Sequence, residues 1–152
     1  MSMHSHKTNK TIAFFKGLID KDNVSYPSGV GKWLQPVLKD ISFGRIVAEI
    51  IVRPEMINTH QTLHGGMTSL IFDEIIGATV YCLEKETSFV TVSLNVDFLS
   101  AAKLGDTVRV ATVVQKNGNT LVQLDAKMYV HERLIAVASS VLVSTGKAKV
   151  VV

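Results

Sequence analysis

One stretch constrains this chain more than any other. At residues 58–66 it reads Asn-Thr-His-Gln-Thr-Leu-His-Gly-Gly, then runs through a long apolar segment without proline. From Met67 to Leu83 the only charged side chains are the neighbours Asp73 and Glu74. A helix that is apolar on most of its sides expects cover on most of its sides. Carboxylates are seldom buried without a partner or a task. Asn58, His64, Gly65 and Gly66 crowd the start of this helix, and Asp73 lies about two turns in. Whatever the chain folds into must wrap the helix and account for the acid.

The flanks supply strands. Trp33 to Ile41 predicts a first strand, confined by Pro36 to an edge or an irregular start. Phe43 to Val52 predicts a second, rich in β-branched residues and ended by Arg53-Pro54. After the helix, Val90, Val92, Leu94, Val96 and Phe98 alternate with Thr91, Ser93, Asn95 and Asp97, the pattern of a half-buried strand. Leu104-Gly105-Asp106 is a turn, Thr107 to Lys116 a strand, and Asn117-Gly118 a hairpin signal. Leu121 to Val130 and Leu134 to Ser144 complete the set around a turn at 131–133. Upstream, Thr11 to Ile19 places Ile12, Phe15, Leu18 and Ile19 at helical spacing, and Ser25 to Gly29 is turn chemistry. Residues 1–10 read as a frayed end, and 146–152 carry no assignment.

Two strands, one helix and four antiparallel strands have one economical packing, a sheet curled around the helix. This is the hotdog arrangement, an α+β fold. At 152 residues, without repeats or linkers, the chain reads as one domain. The expected division is an extension at 1–30, the hotdog domain at 31–147 and a tail at 148–152.

Composition mainly excludes. With 47% hydrophobic and 19% charged residues, disorder is ruled out. The net charge of +3 is scattered, with no basic run that would read as a nucleic-acid arm. Cys82 is the sole cysteine, so neither an intrachain disulfide nor a cysteine zinc site is possible. His60 and His64 precede or begin the helix and lack a third ligand, so no metal is expected. Ser69, Ser139 and Ser140 lack a Gly-x-Ser-x-Gly elbow. No segment suits a bilayer span or a cleaved leader, and a cytoplasmic location is the expectation.

Asn58, five residues, His64-Gly65-Gly66, six residues and Asp73 together resemble the signature of PaaI-type acyl-CoA thioesterases. These belong to the 4-hydroxybenzoyl-CoA thioesterase superfamily, which has the hotdog fold. The similarity continues through 91–99, 102–106 and the Lys116-Asn-Gly-Asn-Thr120 turn, covering roughly 34–145. The resemblance implies Asp73 as general base or nucleophile and the Gly65 N–H as the group polarising the thioester carbonyl. It implies that Asn58 and His64 position the carbonyl or the water, and that Thr91 orients the water. It also implies dimers or tetramers with shared sites, acyl-CoA as substrate and no separate cofactor. Glu74 departs from the family, which more often carries a small or uncharged residue there. Gly66 and Lys116 join the substrate-binding candidates, Lys116 as a point charge for CoA phosphates. The alternatives are an acyl-CoA-binding sensor without turnover and, ranked lower, a hotdog hydratase of enoyl thioesters.

The chemistry fits without the resemblance. Water attacking a thioester builds negative charge on the carbonyl oxygen, and a backbone N–H at a helix start meets it, aided by the helix dipole. Glycine there admits close approach. An aspartate partly shielded from solvent would take the water's proton, or attack directly through an anhydride. Thiolate leaves readily, so a strong general acid is less needed. Gly65 and Asp73 are eight residues apart on one helix, about 12 Å at 1.5 Å per residue. That is too far for both to act on one carbon, so the expectation is a homodimer with two equivalent sites across its two-fold axis; the resemblance to a family of dimers and tetramers extends this to a dimer of dimers. Gly66, Ser69, Asp73, Gly77 and Val80 share a helical face, whereas Glu74 falls with Met67, Leu70, Ile71, Ala78 and Tyr81. Plainer readings stand beside these: an Asx-turn for Asn58, a helix-start hydrogen bond for His64, a tight turn at Gly65-Gly66 and an ordinary strand position for Thr91.

Overall fold

The computed structural model describes residues 9–149. Its elements run α1 (Lys10–Lys16), α2 (Gly29–Leu34), β1 (Val37–Ser42), β2 (Arg45–Ile51), a 3-10 turn (Pro54–Met56) and α3 (Gly65–Tyr81), followed by β3 (Thr87–Phe98), β4 (Thr107–Asn117), β5 (Leu121–Val130) and β6 (Arg133–Ala148). The six strands make one sheet in the order β1-β2-β4-β5-β6-β3, antiparallel at every pairing. β3, which follows α3 in the chain, therefore lies at the edge farthest from β1. The sheet wraps α3, and the hotdog fold is the one observed.

α3 meets the sheet through Thr68, Phe72, Ile75, Ile76 and Thr79, all buried, against strand residues such as Ile46, Val110 and Leu124. One polar stitch crosses this apolar layer. Thr79 Oγ1 donates to Ile75 O at 2.7 Å and lies 2.6 Å from Thr112 Oγ1 on β4, which accepts from the Ile46 N–H of β2 at 3.1 Å. Both hydroxyls are thereby satisfied in a place where an unpaired one would be costly.

The far end of α3 is tied down by both chain ends. Asn9 Oδ1 caps α1 by accepting from the Ile12 N–H at 2.8 Å, while its Nδ2 donates to Cys82 O at 2.9 Å. Phe15 meets the Tyr81 ring edge to face, with centroids 6.5 Å apart. Beyond β6, Lys149 Nζ donates to Tyr81 O at 2.8 Å and sits 3.6 Å from the Tyr81 ring centroid. A cation at a helix C-terminus suits the dipole, although burial holds the Lys149 ammonium below the usual lysine value.

Several expectations need correction. Residues 29–34, partly assigned to a first strand, form α2 instead: Ser28 Oγ accepts from the Gly31 N–H at 2.8 Å, and Gln35 closes the helix at φ 51°. A good N-cap and a left-handed C-cap outweigh the strand propensity of Trp33 and Leu34. Asn9 and Lys10 are ordered rather than frayed; residues 1–8, and 150–152 of the tail, lie outside the described residues. The Asn117-Gly118 hairpin has three linking residues, 118–120, and neither Asn117 nor Gly118 takes a positive φ, so the turn is not the two-residue mirror type. β6 runs on to Ala148.

Along β3 the difference from the expected pattern bears on chemistry. Period two holds along β3 only in two pieces, because a β-bulge falls between Thr91 and Ser93. Thr91 pairs with buried Leu142, whereas Leu94, Val96 and Phe98 pair with buried Ser140, Ala138 and Ala136. The extra residue, Val92, switches the parity. Thr91 therefore shares the helix-facing side with Leu94, Val96 and Phe98, while Val90 and Val92 turn outward and are exposed.

Candidate active site

The loop before α3 is built on Asn58. Its Oδ1 accepts from the N–H groups of His60 at 2.9 Å and Thr62 at 3.2 Å and from Thr62 Oγ1 at 3.1 Å. The chain closes with the Asn58 N–H on Thr62 O at 2.8 Å. This is the Asx-type turn, and among the described residues none accepts from Asn58 Nδ2. His64 is the N-cap of α3, its Nδ1 accepting from the Gly66 N–H at 2.9 Å. A ring that accepts at Nδ1 carries its proton on Nε2, and His64 is exposed. Gly66 lets the ring sit close, since a Cβ there would stand 3.0 Å from His64 Nδ1 and press on the ring.

Gly65 is the first residue of α3, and among the described residues nothing accepts from its N–H. Free donors are what a helix start presents. Phe98 of β3 lies over it, 3.4 Å from where a Cβ would stand. A recess of about 230 Å³ opens here, lined by Gly65, Phe98, Ala102 and Ile135 among others. Phe98 is a residue that sequence reasoning did not single out. Its place in the alternation put it in a core, yet it is 57% exposed.

Two turns along, Asp73 Oδ1 accepts from Thr91 Oγ1 at 2.9 Å. The bulge is what aims Thr91 at this carboxylate. The expectation that Asp73 is partly shielded does not hold within one chain, where it is exposed. The sheet covers one side of α3 and the N-terminal segment another; between them runs the strip bearing Gly66, Ser69, Asp73 and Gly77, none of which is buried. Glu74 points elsewhere. The Ser28 hydroxyl at the head of α2 donates to its carboxylate, and a Cβ on Gly31 would meet Glu74 Oε1 at 2.8 Å. The second acid thus binds α2 to α3.

The sequence candidates fall into two groups. Asn58, His64, Gly65 and Gly66 gather at the head of α3, and Asp73 with Thr91 lies eight residues further along the same helix. Lys116 joins neither. It pairs with exposed Gln123 on the outer side of the sheet, on a strand three places from β3. Burial pushes the Cys82 thiol up to about 12, so it is no thiolate nucleophile at neutral pH. Among the described residues no three His, Cys, Asp or Glu side chains are grouped to hold a metal ion. No helix among them is long and apolar enough to cross a membrane.

Comparison with known proteins agrees with this architecture. The model of the thioesterase superfamily matches residues 60–137. Acyl-coenzyme A thioesterase 13 of Homo sapiens is 36% identical over 78 residues, a span covering 51% of this chain and 56% of the human one. The chain thus spans about half the length of the curated relatives it matches first. The E. coli PaaI protein superposes with a TM-score of 0.76 at 18% identity, covering 92% of this chain and 95% of that one. A hypothetical thioesterase protein of Streptococcus pneumoniae TIGR4, crystallised with coenzyme A, gives 0.70 at 23% identity over 76% and 89%. At such identities the likeness to these two structures is one of fold.

Proposed function

Because the chain belongs to the thioesterase superfamily, we propose that it hydrolyses an acyl-CoA thioester to the free acid and CoA. The observation that carries the reading is the Asp73 carboxylate, held at one oxygen by the Thr91 hydroxyl on an open strip of α3. The other oxygen is left for chemistry. It takes a proton from an attacking water, or attacks the carbonyl itself to form an anhydride. Charge gathering on the carbonyl oxygen is met by the Gly65 N–H, with Asn58 Nδ2 and His64 Nε2 as further donors at the same helix head. Thiolate then departs without a strong general acid. No cofactor enters, since CoA arrives as part of the substrate.

The two groups belong to different copies in this reading. About 12 Å of helix separates Gly65 from Asp73, so the donor comes from a second chain whose α3 lies antiparallel. β3 supports the pairing: it is an edge strand, with Val90, Val92 and Phe98 all exposed, as is Leu99 just after it. The assembly is a homodimer with two sites, and a dimer of dimers beyond it. Residues 31–147 form the catalytic unit, and a cytoplasmic setting suits its substrate.

The test is release of free thiol from a panel of acyl-CoAs by wild type, Asp73→Ala and Asp73→Asn. Loss of a positioned base should cost about 10²- to 10⁴-fold in kcat. An unchanged rate in either variant removes the mechanism. Wild-type binding without thiol release across the panel turns the reading to an acyl-CoA sensor.

A further inference from the structure

Beside the Asp73 strip lies a cleft of about 200 Å³ that the proposed reaction does not use. Its walls come from Phe15 of α1, Tyr26 and Pro27 ahead of α2, Leu38 of β1, and Ile75 and Ala78 of α3. Three of its polar side chains are committed, and Tyr81 of α3 also lines it. Ser28 and Glu74 are bonded to each other, and the Tyr26 hydroxyl donates to Pro36 O. Burial pushes that phenol up to about 12, so Tyr26 is wall rather than acid. Gly77 also borders the cleft, one helical turn past Asp73 and so about 6 Å along the axis. Nothing stands within 4 Å of the place where a Cβ on Gly77 would be, so the helix surface between the carboxylate and the cleft is open at that residue.

We infer that this cleft receives the acyl group of the thioester, and that the N-terminal segment from α1 to α2 sets the size admitted. The inference rests on the thioesterase reading and deepens it. An apolar cavity of about 150 Å³ holds a benzene ring, so this one takes an aromatic ring or a chain of about six carbons. Apolar walls with a few placed polar groups are what small-molecule sites present. The segment that closes the cleft, residues 10–34, precedes the family match at 60–137. Part of the wall that would set selectivity thus comes from a stretch outside the family match, facing α3 residues inside it.

The experiment has two readouts. Calorimetric titration of full-length Asp73→Asn protein with CoA, acetyl-CoA, hexanoyl-CoA and palmitoyl-CoA measures what the acyl group adds to binding. Hexanoyl-CoA should bind about tenfold tighter than CoA, with no comparable gain for acetyl-CoA. Adding Ala78→Leu, which fills the cleft, should erase that gain. In an otherwise wild-type chain, Ala78→Leu should lower kcat/KM for hexanoyl-CoA about tenfold more than it lowers that for acetyl-CoA. Phe15→Ala, which widens the cleft, should move the preference toward longer chains. Equal binding of CoA and hexanoyl-CoA would overturn the assignment, as would a chain-length profile that neither variant shifts. Tighter binding of hexanoyl-CoA without any thiol release would leave the cleft standing while removing the hydrolytic reading.

Discussion

Thr91 donates one hydrogen bond, and that bond fixes which carboxylate oxygen of Asp73 remains available. A hydrogen bond to a charged group contributes about 1.5–3 kcal/mol. Thr91→Val, which keeps the shape and removes the hydroxyl, should lower kcat about 10- to 100-fold with little change in KM. Thr91→Ser should restore most of it. Steady-state kinetics on one acyl-CoA decides, and a Val variant as active as wild type would leave Thr91 an ordinary strand residue. The places of Asp73 and Gly65 on one long helix were legible in the sequence because helix periodicity and the His-Gly-Gly start need only local spacing. Thr91 was readable as a motif position but not as a contact. Simple alternation set it on the solvent side, and one bulged residue reverses that side. Glu74 was ambiguous for a related reason: its partner, Ser28, is distant in sequence.

Between elements, the helix and sheet are registered by the hydroxyl pair of Thr79 and Thr112, embedded in apolar packing. The two threonines are not equivalent. Thr79→Val leaves Thr112 with its Ile46 contacts and should cost about 1 kcal/mol. Thr112→Val strips the side-chain acceptor from the buried Ile46 N–H and should cost more, about 2–3 kcal/mol. Urea midpoints for the two variants give the comparison, and equal costs would mean that Ile46 loses nothing. The order of strands and the long helix could be read from periods of 2 and 3.6 residues. α2 could not, because its cap, its left-handed end and its dock on Glu74 compete with an apolar run that also suits a strand. The cleft between α1, β1 and α3 has no local signature, being assembled from four separate stretches.

At the scale of the whole molecule, the proposed division of the site between two copies makes a prediction that no single-chain site shares. Gly65→Pro removes the backbone donor at the first helical position, where proline is tolerated, and His64 already has the extended backbone that a following proline requires. That variant and Asp73→Ala should each be inactive. Chains of the two kinds co-expressed in equal amounts should recover about a quarter of wild-type activity, because half the dimers are mixed and each mixed dimer holds one intact site. Activity no greater than that of the separate variants would return both groups to one chain. The edge strand has its own bearing on how such a protein is made. A chain newly released from the ribosome carries a bare, greasy margin of unpaired peptide groups with Val92 and Phe98 beside it. Its yield in cells should therefore depend on how quickly copies meet, with slow encounter favouring clumping over catalysis.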